Sequence, residues 1–279
     1  MPEPPDYDFR DETPAVEVPP PSRVRSGHLW LLAVAILGTL GLAYLFVRDR
    51  AAPPPPQRES PARAGTAPAR AALGGDAANI TLPRLDDSDS MVATMARQLT
   101  SDPLLESWLA TGGLIRNVTV VIANIAGGTS PAVHLRAFRP TRPFTTIERG
   151  GMRYIDPRSY ERYAPIARAI ASIDPSATAR AYATFKPLIE EASRDLGNDA
   201  PFDRTLERAL VHLLSTPVVT DPVPVVPKGA GYAFANGNLE GLSAAQKQLL
   251  RFGPQNAARI QDALRNLALA LGIPPERLP

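Results

Sequence analysis

The chain has 279 residues, no cysteine, 31 prolines, and 30 basic against 28 acidic side chains, a formal net charge of +2. Disulfides, thiol nucleophiles, Cys-ligated zinc, iron–sulfur clusters and lipobox acylation all require a cysteine and are excluded. The charge balance does not argue for a generic nucleic-acid binder, although a pI near 9.0 leaves room for local basic patches.

Thirteen of the prolines lie before residue 80, in runs such as Pro19–Pro21 and Pro53–Pro56. Stretches rich in Pro, Ala and charge bury too little apolar area to offset their conformational entropy. Residues 1–27 are therefore expected to be a disordered tail and residues 48–79 a Pro/Ala-rich linker. Between them, residues 28–47 read as one transmembrane helix. Leu29 to Val47 carries no charge, and 19 residues of helix rise about 28 Å, the depth of a hydrocarbon core. Leu29, Trp30, Tyr44 and Val47 are its anchoring positions, with the two rings where amphipathic aromatics prefer the headgroups and Arg25 and Arg48 outside them. A cleaved signal peptide is the alternative, since Gly41-Leu-Ala43 loosely fits a cleavage site. The apolar run continues past it to Val47, however, and the leader carries Glu3, Asp6, Asp8, Asp11, Glu12 and Glu17 instead of a basic region.

Flanking arginines barely discriminate orientation: Arg10, Arg23 and Arg25 precede the span and Arg48, Arg50, Arg58 and Arg63 follow it. Long domains translocate with little regard to charge. The expected placement is the bacterial inner membrane, single-pass, with the N-terminus cytoplasmic and the C-terminal domain periplasmic. Fully extended, the linker reaches on the order of 100 Å.

Residues 80–279 have the composition of a folded domain, and their rhythm is mainly α with one or two small β-hairpins. Asp89-Ser90 predicts a helix start running to about Leu99, and Asp102-Pro103 starts a short helix containing Trp108. Gly113 to Ala126 is helical in pattern despite Val118, Val120, Val121 and Ile122. Phe144–Ile147 and Met152–Ile155 flank Glu148-Arg149-Gly150-Gly151 as a hairpin. Asp174-Pro175 opens a long helix with Ala177, Ala181, Phe185, Leu188, Ala192 and Leu196 on one face, stopped by Gly197, with a kink expected at Pro187. A second helix from Pro201 carries Phe202, Leu206, Leu210 and Leu213 and ends before Pro217. Val223–Val226, broken by prolines, reads as at best an edge strand or an extended arm. Ser243 to Gln246 forms a capping box, and Pro254 starts a last helix with Ala257, Ile260, Leu264, Leu267 and Leu271, closed by Gly272.

Catalytic signatures are sparse. His28, His134 and His212 have no HxxxH or HExxH partner, so no metal and no cofactor is expected. No serine sits in G-x-S-x-G. Asp86, Asp87 and Asp89 cluster, and Glu190 and Glu191 adjoin; a cell-wall hydrolase can work with carboxylates alone, but helix capping explains the first cluster and a solvated face the second. The densest chemistry is a stretch from residue 136 to 168 with eight arginines against Glu148, Asp156 and Glu161, a local net charge of +5, interleaved with Phe138, Phe144, Tyr154, Tyr160 and Tyr163. Arg136, Arg139, Arg142, Arg149, Arg153, Arg158 and Arg162 are its candidate anion-binding residues, because planar bidentate donors suit phosphate and carboxylate. Internal ion pairs are the other use for them. The Gly253 junction also has the look of a helix-turn-helix, with Gln255, Asn256 and Arg259 as base readers, which requires a cytoplasmic domain.

Leu82-Pro-Arg-Leu-Asp-Asp-Ser-Asp89, Arg162-Tyr-Ala-Pro165, Pro187-Leu-Ile-Glu-Glu-Ala192, Gly241-Leu-Ser-Ala-Ala-Gln-Lys247 and Arg251-Phe-Gly-Pro-Gln-Asn256 together resemble the proteobacterial proteins grouped as domain of unknown function 3014, over about residues 80–272. The resemblance implies one N-terminal anchor before the domain and brings no activity, substrate or catalytic residue. The chain departs from that pattern at Phe234-Ala-Asn236-Gly237, where Asp-Pro is expected, so no carboxylate role is carried to that position. The expectation is a membrane-anchored envelope protein whose tethered helical domain binds a protein or an anionic envelope component. A carboxylate-based cell-wall hydrolase is the alternative, and a membrane-tethered DNA binder a remote one. Expected partners are the lipid bilayer and an envelope protein or anionic polymer, with nucleic acid not expected and the homo-oligomeric state left open.

Overall fold

Apolar side chains at spacings of three and four dictate most of what forms. In the computed structural model, which describes residues 72–229 and 231–279, the elements are α1 (Asp89–Ala96), α2 (Pro103–Leu109), α3 (Leu114–Ala126), β1 (Thr146–Arg149), β2 (Met152–Ile155), α4 (Arg158–Glu161), α5 (Ala164–Ala171), α6 (Pro175–Asp195), α7 (Phe202–Leu214), β3 (Val225–Lys228), β4 (Gly231–Phe234), α8 (Gly237–Glu240), α9 (Ala244–Leu250) and α10 (Pro254–Ala270). The fold is mainly helical with two small antiparallel strand pairs. The tail at 1–27, the expected span with Leu29, Trp30, Tyr44 and Val47, and most of the linker lie outside the described residues.

Four helices share the main core. Tyr182, Phe185, Leu188 and Ile189 of α6 meet Phe202, Leu206 and Leu210 of α7, Ile115 of α3 and Ala268 of α10. Phe202 is 0 % exposed, and burying a ring that fully contributes about 2–3 kcal/mol. Helix α6 continues through Pro187; burial of Phe185, Leu188 and Ile189 on either side offsets the backbone bond that proline removes. Among the described residues no single helix is long and apolar enough to cross a membrane. Helices α2 and α3 reach that composition only together, and the chain bends by 109° between them.

Several helix starts follow the sequence. Asp102 accepts from the Leu104 amide at 2.9 Å, Asp174 accepts from Ala177, and Ser243 with Gln246 makes both bonds of the capping box. The start expected at Asp89-Ser90 is different. Helix α1 ends at Ala96 instead of near Leu99, and Asp89 does not cap it. Its carboxylate accepts from the amides of Gly113 and Leu114 at 2.7 and 2.8 Å, capping α3. Gly113, at the cap position of α3, has no side chain with which to do so.

The first hairpin forms, but its first strand lies two residues later than expected, at Thr146–Arg149 instead of Phe144–Ile147, so that only Gly150-Gly151 turns, with Thr146 opposite Ile155 and Arg149 opposite Met152. Of the edge strand and the extended arm that the sequence allows, the strand forms: β3 pairs with β4 in a two-stranded sheet, Val225 opposite Phe234. Ile155 donates to the Val223 carbonyl at 3.0 Å, and Ile155, Val223, Val225, Phe234 and Leu250 form a second small core. Asn236 caps α8, accepting from Asn238 at 2.9 Å and Leu239 at 3.4 Å. Asn serves there as well as the Asp that the family pattern suggests.

The packed region begins earlier than residue 80. Leu73 is buried in the main core, its amide donates to Asp203 at 3.3 Å, and the Gly74 amide donates to Leu271 O at 3.0 Å. Gly74 has φ +99°, and a Cβ there would lie 2.8 Å from the Ala179 carbonyl oxygen. Asp203 also accepts from Tyr182 Oη and Lys186 Nζ, both at 2.6 Å. Burial pushes this carboxyl upward, but bonds from Lys186, Tyr182 and the Leu73 amide outweigh it and hold Asp203 below its ordinary range.

Gly253, between α9 and α10, has φ +80°, and a Cβ there would stand 2.3 Å from Cγ of Tyr160. Asn256 Nδ2 completes the contact by donating to Tyr160 O at 2.9 Å and Phe252 O at 3.0 Å. Gly253→Ala therefore combines left-handed backbone strain with a steric overlap and is expected to lower stability by about 2–4 kcal/mol in urea unfolding. A loss below about 0.5 kcal/mol would show that the ring simply moves aside.

Candidate functional site

Pro140 and Pro143 withhold backbone donors and disfavour helix at the residues before them, and the chain between Arg139 and Thr145 forms neither helix nor strand and bends at Thr141 and Arg142. Two short 3-10 turns precede it, Pro131–His134 and Arg136–Phe138, the first capped by Ser130. This segment arches over α5 and the α9–α10 junction and encloses a cleft of about 1240 Å³. Its ends are fastened by rings. Phe138 stacks on Trp108 with centroids 6.3 Å apart, and Phe144 tilts against Tyr232 at 5.5 Å.

Beyond Phe144 the chain is clamped. The Thr145 amide donates to Ser159 Oγ at 2.8 Å, and the Asp156 amide donates to Thr145 O at 3.1 Å. Asp156, nearly buried, accepts from the Arg158 amide at 3.0 Å and from its guanidinium at 2.7 Å. The floor of the cleft is apolar: Ile166 and Ile170 of α5, Leu213 of α7, Leu249 of α9, Phe252 and Ile260.

The seven candidate arginines separate into two groups. Arg136, Arg139, Arg142 and Arg162 line the cleft; Arg149, Arg153 and Arg158 do not. Arg158 is committed to Asp156, and Arg153 lies 3.8 Å from Glu148 and donates to Tyr232 Oη at 3.1 Å. Arg149 is exposed at the end of β1. Among the cleft arginines, only Arg142 approaches a carboxylate, Glu161 at 4.0 Å, and both are largely exposed. No carboxylate among the described residues pairs with Arg136, Arg139 or Arg162.

Arg162 is the most constrained of them. Its guanidinium carbon lies 4.8 Å from the Tyr163 ring centroid and 5.4 Å from that of Phe144, contacts that favour a cation. Nη2 donates to Tyr163 Oη at 3.0 Å and Nη1 to Arg142 O at 3.4 Å. Its Nε is buried and has no hydrogen-bond partner among the described residues.

The carboxylates weighed for hydrolysis do not converge. Asp86 pairs with Arg116, which also holds Asp195. Asp87 is exposed, Asp89 caps α3, and Glu190 accepts from the Phe202 amide at 2.9 Å at the start of α7. Glu191 is exposed, and no Asp or Glu lines the cleft among the described residues. His212 Nε2 lies 2.7 Å from Ser243 Oγ, His134 is exposed on its turn, and the described residues contain no group of three acidic or histidine side chains placed to hold a metal ion. Asn256, weighed as a base reader, is buried and engaged with Tyr160 and Phe252, while Gln255 and Arg259 are exposed. Sequence reasoning missed Trp108, Ile166 and Ile170 as cleft residues. The Ile166/Ile170 spacing of four was the available signal, on a helix too short to stand out.

The family model described as Protein of unknown function (DUF3014) matches residues 114–268. That is more than half of the chain and takes in the whole arginine-bearing stretch. No curated protein and no solved structure matches.

Hydrogen bonds from the Arg158 side chain and then its amide hold Asp156 down to about 2 against the opposing effect of its burial. A carboxyl depressed in the folded state stabilises it above the unfolded value of 3.8, and that contribution is lost as pH falls through about 2. Urea midpoints of the wild type should therefore fall more steeply between pH 4 and pH 2 than those of Asp156→Asn. Parallel curves would remove Asp156 from the acid response.

Proposed function

Because the chain belongs to the DUF3014 family, whose description names no activity, we propose a function from its own geometry: a binding module of the bacterial envelope that takes an anionic component at the Arg136–Arg139–Arg162 cleft. One observation carries this reading. Three arginines without a carboxylate partner among the described residues border an apolar cleft of about 1240 Å³. Guanidinium groups gathered without counter-ions repel one another, and an incoming carboxylate or phosphate relieves that repulsion through charge-assisted hydrogen bonds. The ring contacts of Arg162 hold one of these donors in place before anything binds.

Residues 28–47 tether the module as one transmembrane helix through Leu29, Trp30, Tyr44 and Val47, with residues 1–27 cytoplasmic and the domain periplasmic. The charge-free apolar run and the Pro/Ala-rich stretch after it support this arrangement. Catalysis by carboxylates has no comparable support, since Asp86, Asp89 and Glu190 are engaged in pairs and caps.

The test uses the full chain in phosphatidylcholine nanodiscs with poly-L-glutamate as the anionic probe. Replacing Arg136, Arg139 and Arg162 together by Ala should weaken binding at least about tenfold, because each lost charge-assisted bond is worth on the order of 1 kcal/mol. The Arg149→Ala/Arg153→Ala variant, which leaves the cleft alone, should change it less than about twofold. Equal losses in both variants would show diffuse surface attraction and overturn the assignment.

A further inference from the structure

The cleft is charged on one side only. Arg136, Arg139 and Arg142 come from the arch and Arg162 from the residue after α4, whereas α5, α9 and α10 contribute Ile166, Ile170, Leu249 and Ile260. A hydrophilic anionic polymer would engage the arginines and leave unused the half-buried apolar side chains of Ile166 and Ile170 beside them. An occupant that satisfies both halves carries charge at one end and hydrocarbon at the other.

The floor also limits the width of the occupant. Ala169, Leu249 and Ile260 line the cleft yet are only 1, 5 and 4 % exposed. These deepest apolar side chains thus present little surface to an occupant. An α-helix, about 10 Å across with its side chains, needs a broad exposed apolar face on which to lie. A hydrocarbon chain is far thinner and conforms to a smaller one, and the volume exceeds the roughly 300–1,000 Å³ of ordinary small-molecule sites. At the lip, Val133 is 66 % exposed on the same arch that carries the arginines, which extends the apolar path to the surface.

We propose that the cleft binds an amphiphile with a single anionic head, carboxylate or phosphate, held by Arg136, Arg139 and Arg162, and an acyl chain laid over Ile166, Ile170 and Leu249. The proposal rests on the anionic-site reading above and specifies its ligand class. It involves no covalent step.

The experiment is photo-labelling of the full chain in phosphatidylcholine nanodiscs with a diazirine-bearing hexadecanoate, followed by peptide mapping. Labels are expected on the peptides containing Trp108 and Ile166–Ile170, with labelling reduced at least about fivefold for the corresponding diazirine hexadecanol, which lacks the anionic head. Ile170→Trp, which fills the apolar side of the cleft, should abolish hexadecanoate labelling while poly-L-glutamate binding persists. Arg162→Ala, which removes a head-group donor and leaves the floor in place, should lower it without redistributing the labels. Competition separates the sources of the ligand: hexadecyl phosphate in free form competes if the site takes single-chain amphiphiles, and phosphatidylglycerol vesicles compete if it draws the chain from a bilayer. Labels confined to other peptides, or equal labelling by the alcohol, overturn the amphiphile and leave the anionic-site reading standing where poly-L-glutamate still requires the three arginines. Loss of both defeats both.

Discussion

Tyr160 lies against the bare backbone of Gly253, and the arrangement of the cleft depends on that contact. The ring occupies space that any side chain at residue 253 would fill. Asn256 fixes the Tyr160 carbonyl from the next turn, so the short helix α4 is pinned to the α9–α10 junction. Downstream of this pin, α5 is set against α10, which places Ile166 and Ile170 across from Leu249 and Ile260. Upstream of it, Ser159 and Asp156 grip Thr145 and so position Phe144. Arg162, two residues after Tyr160, is caught between the rings of Phe144 and Tyr163 by the same placement. The Arg-Phe-Gly-Pro-Gln-Asn run thus reads as a structural lock, with Asn256 engaged inside it.

The two halves of the cleft are held by forces of different kinds. Its floor is part of a small apolar cluster, Ala167, Leu249, Ala257 and Ile260, that exists for packing whether or not anything binds. Its rim carries Arg136, Arg139 and Arg162, which pair with no carboxylate among the described residues, and Arg142, 4.0 Å from Glu161. Repulsion between unpaired guanidinium groups is modest where water screens it and larger where water is thin. The buried Nε of Arg162 falls in the second situation. A domain that needed these arginines only for its own stability would pair them, as it pairs Arg158 with Asp156 and Arg116 with Asp86 and Asp195.

Local signals made the helices legible. Asp174-Pro175, the Ser243–Gln246 box and Gly253-Pro254 each act within a few residues, so the elements they start appear where the sequence predicts. Features that depend on distant partners were not legible. Asp89 caps a helix that begins 25 residues later, a bond with no local signature. Leu73 joins the core from a stretch whose composition reads as linker, because a single buried leucine and one glycine at positive φ leave no periodic trace. The prolines around Val225 left an edge strand and an extended arm both open, and the partner that decides between them, Ala233 and Phe234 beyond a turn, was not legible. The division of the arginines between ion pairs and cleft was not legible: Arg153 and Arg162 each precede a tyrosine in sequence and each lie over a tyrosine ring in space, and what separates them is Glu148, 3.8 Å from Arg153, and the place of Arg162 in the cleft.

The anchorage of Leu73 and Gly74 bears on mechanics. Leu73 and Gly74 attach beside Asp203, at the start of α7, and beside Leu271, just past the end of α10. The other ends of those two helices supply Leu213, Phe252 and Ile260 to the cleft, about 15 Å away along α7 at 1.5 Å per residue. Tension on the chain at Leu73 therefore enters at the ends of α7 and α10 remote from the cleft, and at α6, through a buried leucine and a triply bonded carboxylate. It has to travel the length of both rods before it can strain the cleft, so the domain can be pulled from one end while the other keeps its shape.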